Sequence, residues 1–464
     1  MKDTATTGTC DRSHPPEPRL SARHIRYIKY AMKSGPCVTI HPAKHVEGSL
    51  RLPGDKSISH RYAMLAGIAE GKSRLENYST GADCASTLSC LRSLGVHWER
   101  TDAAANVIEI EGRGPSLTPP TTPLDCGNSG STMRMLSGIL AGQDFTSEMF
   151  GDESLTRRPM ARIMKPLSAM GAKITAAAHD RPPLRITGGH LNAIQYKMPV
   201  ASAQVKSCVL FAGLFAKGET CVEEPLRTRD HGEVALRAFG AELSRNGNST
   251  RIAGGQRLQA IEARVPGDLS SAAFFFCAAA LFPRSQLVID TLLMNPTRAR
   301  LLDILIGLGV RISITQLEEQ HGELVGTVRV EGQHLKAAEI AGADSAALID
   351  ELPVLAAIAP FTERGIRIRD AKELRVKECD RIKAITTNLR AMGGQVEEHE
   401  DGVTVPGGQK LHGAELDSFG DHRIAMAFAI AALRAEGDTQ INGADAAVIS
   451  FPSFFETLES LVQR

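Results

Sequence analysis

The sequence has no excess of charge of either sign. Its 53 lysines and arginines balance 53 aspartates and glutamates, so the formal net charge at pH 7 is zero. Proteins that bind nucleic acid or a membrane surface by general electrostatic attraction carry a basic excess. We therefore expect neither a nucleic acid nor a membrane as a partner. If the protein binds an anion, a local arrangement of groups has to hold it.

Patterned cysteines and long apolar segments are also missing. The nine cysteines are irregularly spaced and form no CxxC pair, which indicates reduced thiols in a cytoplasmic protein and neither a disulfide framework nor a zinc site. The longest apolar run, Ala272–Phe282, falls far short of the ~20 residues that span a bilayer. Residues 1–36 are polar, and charges interrupt every short apolar stretch. We predict a disordered leader there and no secretory signal.

One pattern occurs six times along the chain. A few small, polar or charged residues precede an apolar helix rich in small side chains, and several copies end at a glycine, as helices often do. A second pattern of helix end, glycine and strand alternates with the first. Together they predict a unit of helix, strand, helix, strand, strand that repeats about every 70–80 residues, which favours a βαβ-type module over a solenoid. The six copies of the first pattern begin at Asp55, Gly127, Ser202, Gly267, Asp344 and Gly420.

Six units divide naturally into three plus three, and one repeated segment marks the division. The sequences RLPGDKS at Arg51–Ser57 and RVPGDLS at Arg264–Ser270 are near copies, and Pro-Gly pairs are strong turn signals. We predict that the chain crosses between two domains at each of them. One domain would comprise residues 53–265, and the other residues 37–52 and 266–464. The short strand near Cys37 would then belong with the C-terminal half.

The beginnings of the six helices are the most informative positions. A helix N-terminus carries unpaired backbone N–H groups and a partial positive charge, so it attracts anions. If the three helices of each half point the same way, six N-termini face one cleft. Such a cleft would bind a small polyanion without any net positive charge on the protein. The apolar side chains along the same helices are expected to form the core.

Charged and polar side chains cluster at these helix starts, and each cluster has an ordinary alternative explanation. Lys56, Ser57 and Arg61 could bind an anion, or the serine could cap the helix while the cations stay solvated. Asp350 stands in an apolar segment. It is either a salt-bridge partner for nearby cations or a general base in a partly desolvated, cationic cleft.

Nine segments carry a resemblance to a known family, in order and without large gaps from about Thr39 to the C-terminus. They are PGDKSISHR, GNSGSTMR, TRRPM, ASAQVKS, TRDH, IDELPVLA, ELRVKECDR, DHRIAMAFAI and SFPSFFE. The chain closely resembles the 5-enolpyruvylshikimate-3-phosphate (EPSP) synthases. The resemblance implies an α/β fold of two domains, each with three βαβαββ units around a pseudo-threefold axis (an inside-out α/β barrel), and an active site in the interdomain cleft.

The resemblance also implies a reaction and its residues. The enolpyruvyl group of phosphoenolpyruvate passes to the 5-hydroxyl of shikimate 3-phosphate, phosphate is released, and no metal or organic cofactor takes part. Asp350 is expected to accept the hydroxyl proton, Glu378 to protonate the vinyl carbon, and Lys56 to move protons. The expected contacts to shikimate 3-phosphate are Lys56, Ser57, Arg61, Ser202, Ala203, Gln204, Arg229, Asp350 and Lys377. The expected contacts to phosphoenolpyruvate are Lys56, Gly130, Arg158, Gln204, Arg381 and Arg423.

Two positions depart from the family pattern. Many members carry AKTFP near the C-terminus, with a lysine that reaches phosphoenolpyruvate, whereas this chain has VISFP with Ile449 at that position. Ala203 stands where many members have a second serine. The segments IDELP and TRDH have the form of the second bacterial class, to which we assign the chain. Gly130 predicts inhibition by glyphosate, because insensitive members of this class carry alanine there.

Two other functions fit the sequence less well. A UDP-N-acetylglucosamine enolpyruvyl transferase would have a lysine–asparagine motif near its start and a cysteine-bearing flexible loop, and neither is present. A non-catalytic binding protein would lack Asp350 or Glu378, and both are present. We further expect His60 and His422 to be structural hydrogen-bonding residues. The protein is expected to act as a monomer on small anionic substrates.

Overall fold

The computed structural model describes residues 37–464, and the predicted disordered leader lies outside the described residues. Short 3-10 helices cover Ala178–Asp180, Ala359–Phe361, Lys372–Val376 and Ala444–Ile449. The α-helices are α1 Lys56–Ile68, α2 Ala82–Ser93, α3 Gly130–Ala141, α4 Glu153–Thr156, α5 Ala161–Met170, α6 Ala203–Gly213, α7 His231–Ala238, α8 Leu269–Ala280, α9 Arg300–Gly307, α10 Ala343–Ala347, α11 Leu352–Ile358, α12 Arg381–Ala391, α13 His422–Ala432 and α14 Phe454–Leu461.

The strands form separate small sheets. The strands are β1 Cys37–Ile40, β2 His45–Arg51, β3 Lys72–Glu76, β4 His97–Asp102, β5 Val107–Glu111, β6 Leu124–Asp125, β7 Thr146–Phe150, β8 Lys173–Ala177, β9 Arg181–Thr187, β10 Leu191–Asn192, β11 Gln195–Lys197, β12 Ala216–Lys217, β13 Glu219–Glu223, β14 Leu243–Asn246, β15 Ser249–Ala253, β16 Glu262–Arg264, β17 Gln286–Leu293, β18 Arg311–Gln320, β19 Glu323–Glu331, β20 Ala338–Ile340, β21 Ile366–Ile368, β22 Glu397–His399, β23 Gly402–Val405, β24 Glu415–Asp417, β25 Thr439–Asn442 and β26 Val462–Gln463. Their orders are β16-β3-β5-β4, β6-β7-β9-β8, β11-β13-β15-β14, β18-β19-β17-β2-β26, β20-β21-β23-β22, β1-β25-β24 and β10-β12.

Each of the larger sheets is built around the three strands of one copy of the predicted repeat. In the second copy, leaving aside the short α4, the chain runs through α3, β7, α5, β8 and β9, and β9 pairs antiparallel with both β7 and β8. The first five copies follow this order. The sixth ends early, because only the short β26 follows α14, and it joins the sheet of the fourth copy beside β2. The predicted α/β class and repeat order are confirmed.

The apolar helix of each unit lies in the interior, and its small residues explain how. Every residue of α8 and of α13 is buried. A Cβ added to Gly138 of α3 would lie 2.1 Å from the carbonyl oxygen of Cys208 in α6, so the two helix backbones touch where no side chain fits. Larger side chains fill the remaining space. The rings of Phe275 and Phe454, for example, pack with centroids 5.6 Å apart.

The buried apolar residues form two clusters. One draws its members from Ile58 to Val265 and adds Leu293. The other draws its members from Ile40 to Leu52 and from Leu269 to Val462. We propose that these clusters are the cores of two domains, residues 53–265 and residues 37–52 with 266–464. The two parts are called the inserted half and the flanking half below.

The two chain crossovers between the halves run side by side. The N–H of Asp55 donates to the carbonyl of Pro266 at 2.8 Å, and the N–H of Asp268 donates to the carbonyl of Pro53 at 3.0 Å. Gly54 lies at this bridge, where a Cβ would be 1.9 Å from the carbonyl oxygen of Asn77. The near-identical PGD segments therefore form one antiparallel contact that ties the halves together.

The membrane and cysteine expectations concern the same described range. Helices among residues 37–464 reach at most 13 residues, and none combines the length and apolar character of a bilayer span. The eight cysteines in this range are free thiols, and six of them are buried.

Candidate active site

Helix α1 begins at the centre of the candidate site. Its first residue is Lys56, and its N-cap is Asp55, whose Oδ1 accepts a hydrogen bond from the N–H of Ile58 at 2.9 Å. The Nζ of Lys56 donates to Oδ2 of Asp83 in α2 at 2.8 Å. Burial lowers the pKa of Lys56, but the charge and hydrogen bond of Asp83, together with the charge of Glu378, outweigh burial and the net pKa is raised. Lys56 is therefore a cation at neutral pH, and Asp83 is a site residue that the sequence analysis missed.

One turn further along α1, Arg61 joins this helix to α6. Its Nε and Nη2 donate to Oγ of Ser207 at 3.2 and 2.9 Å, and its Nη1 donates to the carbonyl of Ser57 at 2.8 Å. Burial lowers the pKa of Arg61 to about 10, which still leaves it charged at neutral pH. At the start of α6, Ser202 is the N-cap and Ala203 the first residue. The predicted residues of α1 and α6 thus lie close together.

The start of α3 adds a cation that the sequence analysis did not select. Arg134 donates through Nη1 to Oε1 of Gln204 at 2.7 Å, and Nε2 of Gln204 donates to Oγ of Ser131 at 2.9 Å. Burial lowers the pKa of Arg134 to about 10. A Cβ on Gly130, the first residue of α3, would lie 3.0 Å from Nη1 of Arg134 and 3.4 Å from Nη1 of Arg158. Gly130 therefore leaves space beside two guanidinium groups.

Arg158 connects this cluster to the flanking half. Its Nη2 donates to Oδ1 of Asn128 at 3.0 Å and to Oγ of Ser154 at 2.9 Å, and its Nη1 lies 3.5 Å from Oε1 of Glu378. The other oxygen of Glu378 accepts from Nη2 of Arg381 at 2.6 Å. Burial raises the pKa of Glu378, but Arg381 and Arg158 outweigh it and hold the net pKa well below its ordinary range. Glu378 is a carboxylate in this arrangement.

Asp350 is surrounded by cations from both halves. Its Oδ2 lies 2.9 Å from Nη1 of Arg229, and its Oδ1 lies 3.7 Å from both Nζ of Lys377 and Nη1 of Arg381. Arg423 donates to the backbone carbonyl of Asp350 at 2.7 Å. Burial raises the pKa of Asp350, but these cations outweigh it and bring the net pKa well below its ordinary value. The salt-bridge role is thus present, and the ionised carboxylate is also the form that a general base requires.

The starts of α12 and α13 supply the remaining cations. Arg381 is the first residue of α12, and its Nε donates to Oδ2 of Asp421 at 2.7 Å. Asp421 is the N-cap of α13, whose second residue is Arg423. A carboxylate at one helix start therefore fixes the guanidinium at another. Burial lowers the pKa of Lys377 despite the nearby charge of Asp350.

Several buried donors of this cluster have no hydrogen-bond acceptor within residues 37–464. They are Nε of Arg158, Nη2 of Arg229 and Nη1 of Arg381. A buried polar group without a partner destabilises a protein by about 1–3 kcal/mol, and a charged group by more. Such donors indicate a site shaped for anionic acceptors supplied by a ligand.

The two histidines behave differently. Nδ1 of His60 shares a hydrogen bond with Oγ1 of Thr87 at 2.7 Å, as expected of a structural residue. His422 is buried, and neither ring nitrogen has a partner among the described residues, so the expectation that it is a structural hydrogen-bonding residue is wrong. Its charged neighbours are mainly cations, which offer no acceptor. Burial, and then the charge of Lys56, bring the pKa of His422 well below its ordinary value.

Ile449 leaves the position of the family lysine without a cation. It ends the 3-10 helix Ala444–Ile449, and its carbonyl oxygen would lie 2.7 Å from a Cβ on Gly81, the N-cap of α2. This segment of the flanking half therefore packs through its backbone against the helix that carries Asp83. Among residues 37–464, no group of three His, Cys, Asp or Glu side chains is placed to hold a metal ion.

Known proteins match this chain over most of its length. Residues 40–458 match the sequence profile of the family described as EPSP synthase (3-phosphoshikimate 1-carboxyvinyltransferase). The chain is 60% identical over 428 residues to a 3-phosphoshikimate 1-carboxyvinyltransferase of Koribacter versatilis, which covers 92% of this chain and 99% of that protein. It is 57% identical over 425 residues to the protein of the same name from Solibacter usitatus, which covers 91% and 99%.

The fold matches as well as the sequence. The structure of EPSP synthase from Acinetobacter baumannii superposes with a TM-score of 0.82 at 40% identity, covering 92% of this chain and 98% of that one. The family match over residues 40–458 includes every candidate site residue named above. From the family match and these identities together, we conclude that the chain belongs to the EPSP synthase family.

Proposed function

We propose that this protein is a 3-phosphoshikimate 1-carboxyvinyltransferase. It transfers the enolpyruvyl group of phosphoenolpyruvate to the 5-hydroxyl of shikimate 3-phosphate and releases phosphate. The observation that supports this function is one cluster in which cations from both halves surround Asp350 and Glu378, with buried guanidinium N–H groups that lack acceptors. Each substrate carries a phosphate and a carboxylate, which would supply those acceptors in charge-assisted, often bidentate hydrogen bonds.

The substrates divide between neighbouring parts of the cluster. Two sets of residues are proposed, and Lys56, at the first turn of α1, belongs to both. Those for shikimate 3-phosphate are Lys56, Ser57, Arg61, Ser202, Ala203, Gln204, Arg229, Asp350 and Lys377. Those for phosphoenolpyruvate are Lys56, Gly130, Arg158, Gln204, Arg381 and Arg423, to which the structure leads us to add Arg134 because it lies beside Gly130.

Positioning and charge are the main contributions of these side chains. The two substrates are both polyanions and repel each other in water. Cations fixed at helix starts offset that repulsion and hold the 5-hydroxyl against C2 of phosphoenolpyruvate. The free energy of binding therefore compensates for the entropy that is lost when the two reactants are brought together.

Asp350 acts as the general base for the 5-hydroxyl. In the free protein its cationic neighbours keep its pKa well below the ordinary value, which makes it a weak base. Bound phosphate and carboxylate groups neutralise those cations, so the pKa of Asp350 rises when both substrates are in place. The carboxylate then accepts the hydroxyl proton as the oxygen attacks C2.

Glu378 supplies the proton for the methylene carbon. Arg158 and Arg381 hold its pKa low in the free protein, and both turn to phosphoenolpyruvate when it binds, so Glu378 becomes basic enough to carry a proton. Protonation of the methylene and addition of the hydroxyl give a tetrahedral intermediate. Loss of a proton from its methyl group and of phosphate restores the vinyl group, with Lys56 taking part in these proton transfers.

Phosphate release tests the proposal directly. Purified protein is incubated with both substrates, and inorganic phosphate is measured against reactions that lack either one. We expect release only when both are present, together with an enolpyruvyl product of the corresponding mass. If phosphate forms with UDP-N-acetylglucosamine as the acceptor but not with shikimate 3-phosphate, the protein is the other enolpyruvyl transferase and this assignment is wrong.

The enzyme class, the location, the oligomeric state and the response to glyphosate are proposed as well. The IDELP and TRDH segments support membership of the second bacterial class. The free thiols of the described range support a reducing, cytoplasmic location, and we propose a monomer there, which size-exclusion chromatography with light scattering tests. Glyphosate is proposed to compete with phosphoenolpyruvate, because Gly130 leaves the guanidinium groups beside it uncrowded.

A further inference from the structure

The loop from Glu224 to Asp230 carries Arg229, the cation closest to the carboxylate of Asp350. Nη1 of Arg229 lies 2.9 Å from Oδ2 of Asp350. The loop has no strand or helix of its own, since β13 ends at Glu223 and α7 begins at His231. Its position therefore depends on the side chains that hold its two ends.

The first end is held within the inserted half. Glu224 is buried, its Oε1 accepts from the backbone N–H of Thr228 at 3.0 Å, and it also accepts from the hydroxyl of Thr228. Its Oε2 accepts from Nζ of Lys206 at 2.9 Å, and Lys206 also lies 2.8 Å from Glu233. This end is fixed by a buried lysine between two carboxylates.

The second end is held by the flanking half. Asn295 lies two residues beyond β17, and its Nδ2 donates to Oδ1 of Asp230 at 2.9 Å and to Oε2 of Glu323 at 2.7 Å. Its Oδ1 accepts from the N–H of Thr297 at 2.8 Å and from the hydroxyl at 2.6 Å. Both donors and both acceptor positions of the amide are in use, so its orientation is fully determined.

Glu323 reaches the same loop from an unusually long hairpin. Strands β18 and β19 have 10 and 9 residues, whereas the equivalent β22 and β23 of the next repeat have 3 and 4. The extra length brings the hairpin tip onto the inserted half. Nδ1–H of His231 donates to Oε1 of Glu323 at 2.6 Å, and Nε2 of His321 bonds to the carbonyl of Glu262 at 2.9 Å.

We propose that Asn295 and Glu323 are positioning residues for shikimate 3-phosphate binding, an inference that rests on the proposed function. Neither belongs to the substrate cluster. Asn295 holds Asp230, and Glu323 holds both Asn295 and His231, so that the adjacent Arg229 is fixed against the flanking half that carries Asp350. Arg229 is thereby in position before the substrate arrives. Substrate binding then does not lose free energy to the ordering of the loop.

The substitution Asn295→Asp tests this role with almost no change of shape. It removes the two donors and places a third carboxylate beside Asp230 and Glu323. We expect the KM and the dissociation constant for shikimate 3-phosphate to rise about tenfold or more, because buried hydrogen bonds to charged groups are lost. The kcat at saturating shikimate 3-phosphate and the KM for phosphoenolpyruvate should change by less than about threefold, because the bound substrate itself holds Arg229 at saturation and Arg229 is assigned to shikimate 3-phosphate alone.

Two further variants separate positioning from damage to the fold. Glu323→Gln keeps the size of the side chain and an acceptor for His231, and it should raise the same KM in the same direction. Combined with Asn295→Asp it should recover part of the affinity, because the new amide donates to the new carboxylate. The matched control is Asn388→Asp in α12, which removes a buried amide that donates to the carbonyl of Asp417 at 2.8 Å and makes no hydrogen bond to the loop.

The measurements are steady-state kinetics with each substrate varied in turn, calorimetric titration of shikimate 3-phosphate, and thermal unfolding by circular dichroism. Asn388→Asp should lower the melting temperature and leave the shikimate 3-phosphate KM unchanged. The inference is overturned if Asn295→Asp leaves that KM unchanged, if it raises both KM values equally, or if it behaves as the control does. An inactive wild-type protein would instead overturn the proposed function and this inference with it.

Discussion

Nη1 of Arg158 lies 3.5 Å from Oε1 of Glu378, and this pair joins the inserted half to the flanking half inside the substrate cluster. Their side chains are only 10% and 17% exposed. On the surface beside them, Arg162 lies 3.1 Å from Glu373 and joins the same two halves. We infer that these two contacts have to open before two substrates can reach the cluster, and that the substrates then replace them.

Substrate should therefore make the particle more compact. Free protein can open at the Arg158–Glu378 and Arg162–Glu373 pairs because ion pairs there can exchange for water and ligand, whereas bound shikimate 3-phosphate bridges residues of both halves. Small-angle scattering should show a smaller radius of gyration with shikimate 3-phosphate than without it. An equal radius in both samples counts against closure, and inorganic phosphate at the same concentration is the control for non-specific anion effects.

Replacing Asp350 by alanine should abolish most of the turnover, whereas the affinity for shikimate 3-phosphate should be retained. A general base contributes ~10²–10⁴-fold to the rate, and the carboxylate removed also repels the substrate anions. Steady-state kinetics measures the turnover, and calorimetric titration measures the affinity for shikimate 3-phosphate. Asp344→Ala is the control, because Asp344 pairs with Arg300 outside the cluster. Near-normal turnover in Asp350→Ala means that another group removes the hydroxyl proton.

Replacing Arg134 by methionine should weaken the binding of phosphoenolpyruvate more than the binding of shikimate 3-phosphate. The substitution keeps an apolar stem but removes the guanidinium beside Gly130, and the loss of a charge-assisted hydrogen bond is worth about 1.5–3 kcal/mol, or at least tenfold in KM. Kinetics with each substrate varied separately give the answer. Arg251→Met, at an exposed pair with Glu219, is the control. Equal effects on both substrates would place Arg134 in a structural role.

Gly130→Ala should raise the inhibition constant of glyphosate by about tenfold or more. The new methyl group would stand 3.0 Å from Nη1 of Arg134 and 3.4 Å from that of Arg158, so the guanidinium groups have to shift or the slightly longer inhibitor has to move. A clash of this size in a packed site costs about 1–3 kcal/mol. The inhibition constant against phosphoenolpyruvate is compared with that of Gly307→Ala, where a Cβ meets nothing within 4 Å. A resistant wild type, or an equally sensitive variant, shows that this glycine is not the determinant.

Asp268→Asn should stabilise the protein at neutral pH. Burial, and then the charge of Asp55, raise the pKa of Asp268 from 3.8 to about 6. Because the folded state binds this proton more tightly than the unfolded state, its stabilising effect is complete below pH 3.8 and is lost as the pH rises through 6. The shift corresponds to about 2–3 kcal/mol. Asparagine can keep the cap on Ser270, which Asp268 now makes at 2.8 Å.

Denaturant unfolding at pH 4, 5, 6 and 7 measures this effect. The wild-type free energy of unfolding should fall relative to that of the variant as the pH rises from 4 to 6, and the difference should then become constant. Groups that titrate alike in both proteins cancel in this comparison. Parallel curves for the two proteins would mean that Asp268 titrates in the ordinary range.

Much of this arrangement could be predicted from short stretches of sequence. Lys56 and Gly130 stand at helix starts because a capping serine or aspartate precedes an apolar run, and that local signal is strong. The PGD segments marked the crossovers because a Pro-Gly turn interrupts two otherwise regular repeats. Functional residues that sit at such boundaries are found by the same patterns that define the secondary structure.

The residues that were missed depend on contacts between distant segments. Asp83 and Arg134 lie within helices, where a charged residue is most often a solvated one, and only the packing of α1, α2, α3 and α6 turns them toward the cluster. Asn295 and Glu323 bind residues that are 65 and 92 positions away along the chain. His422 was misjudged because its sequence position does not reveal that the nearby cations offer no acceptor and that Oδ1 of Asp421 lies 4.0 Å from its Nδ1.

The pairing of β2 sets the order in which the chain can complete its structure during synthesis. Strand β2 lies parallel to β17, and the N–H of Val46 donates to the hydroxyl of Ser285, 239 residues later. Every strand between Lys72 and Arg264 finds its partners inside that same stretch. On the ribosome, the inserted half can therefore finish its sheets while β2 still lacks a neighbour, and the flanking half closes around a partner that is already folded.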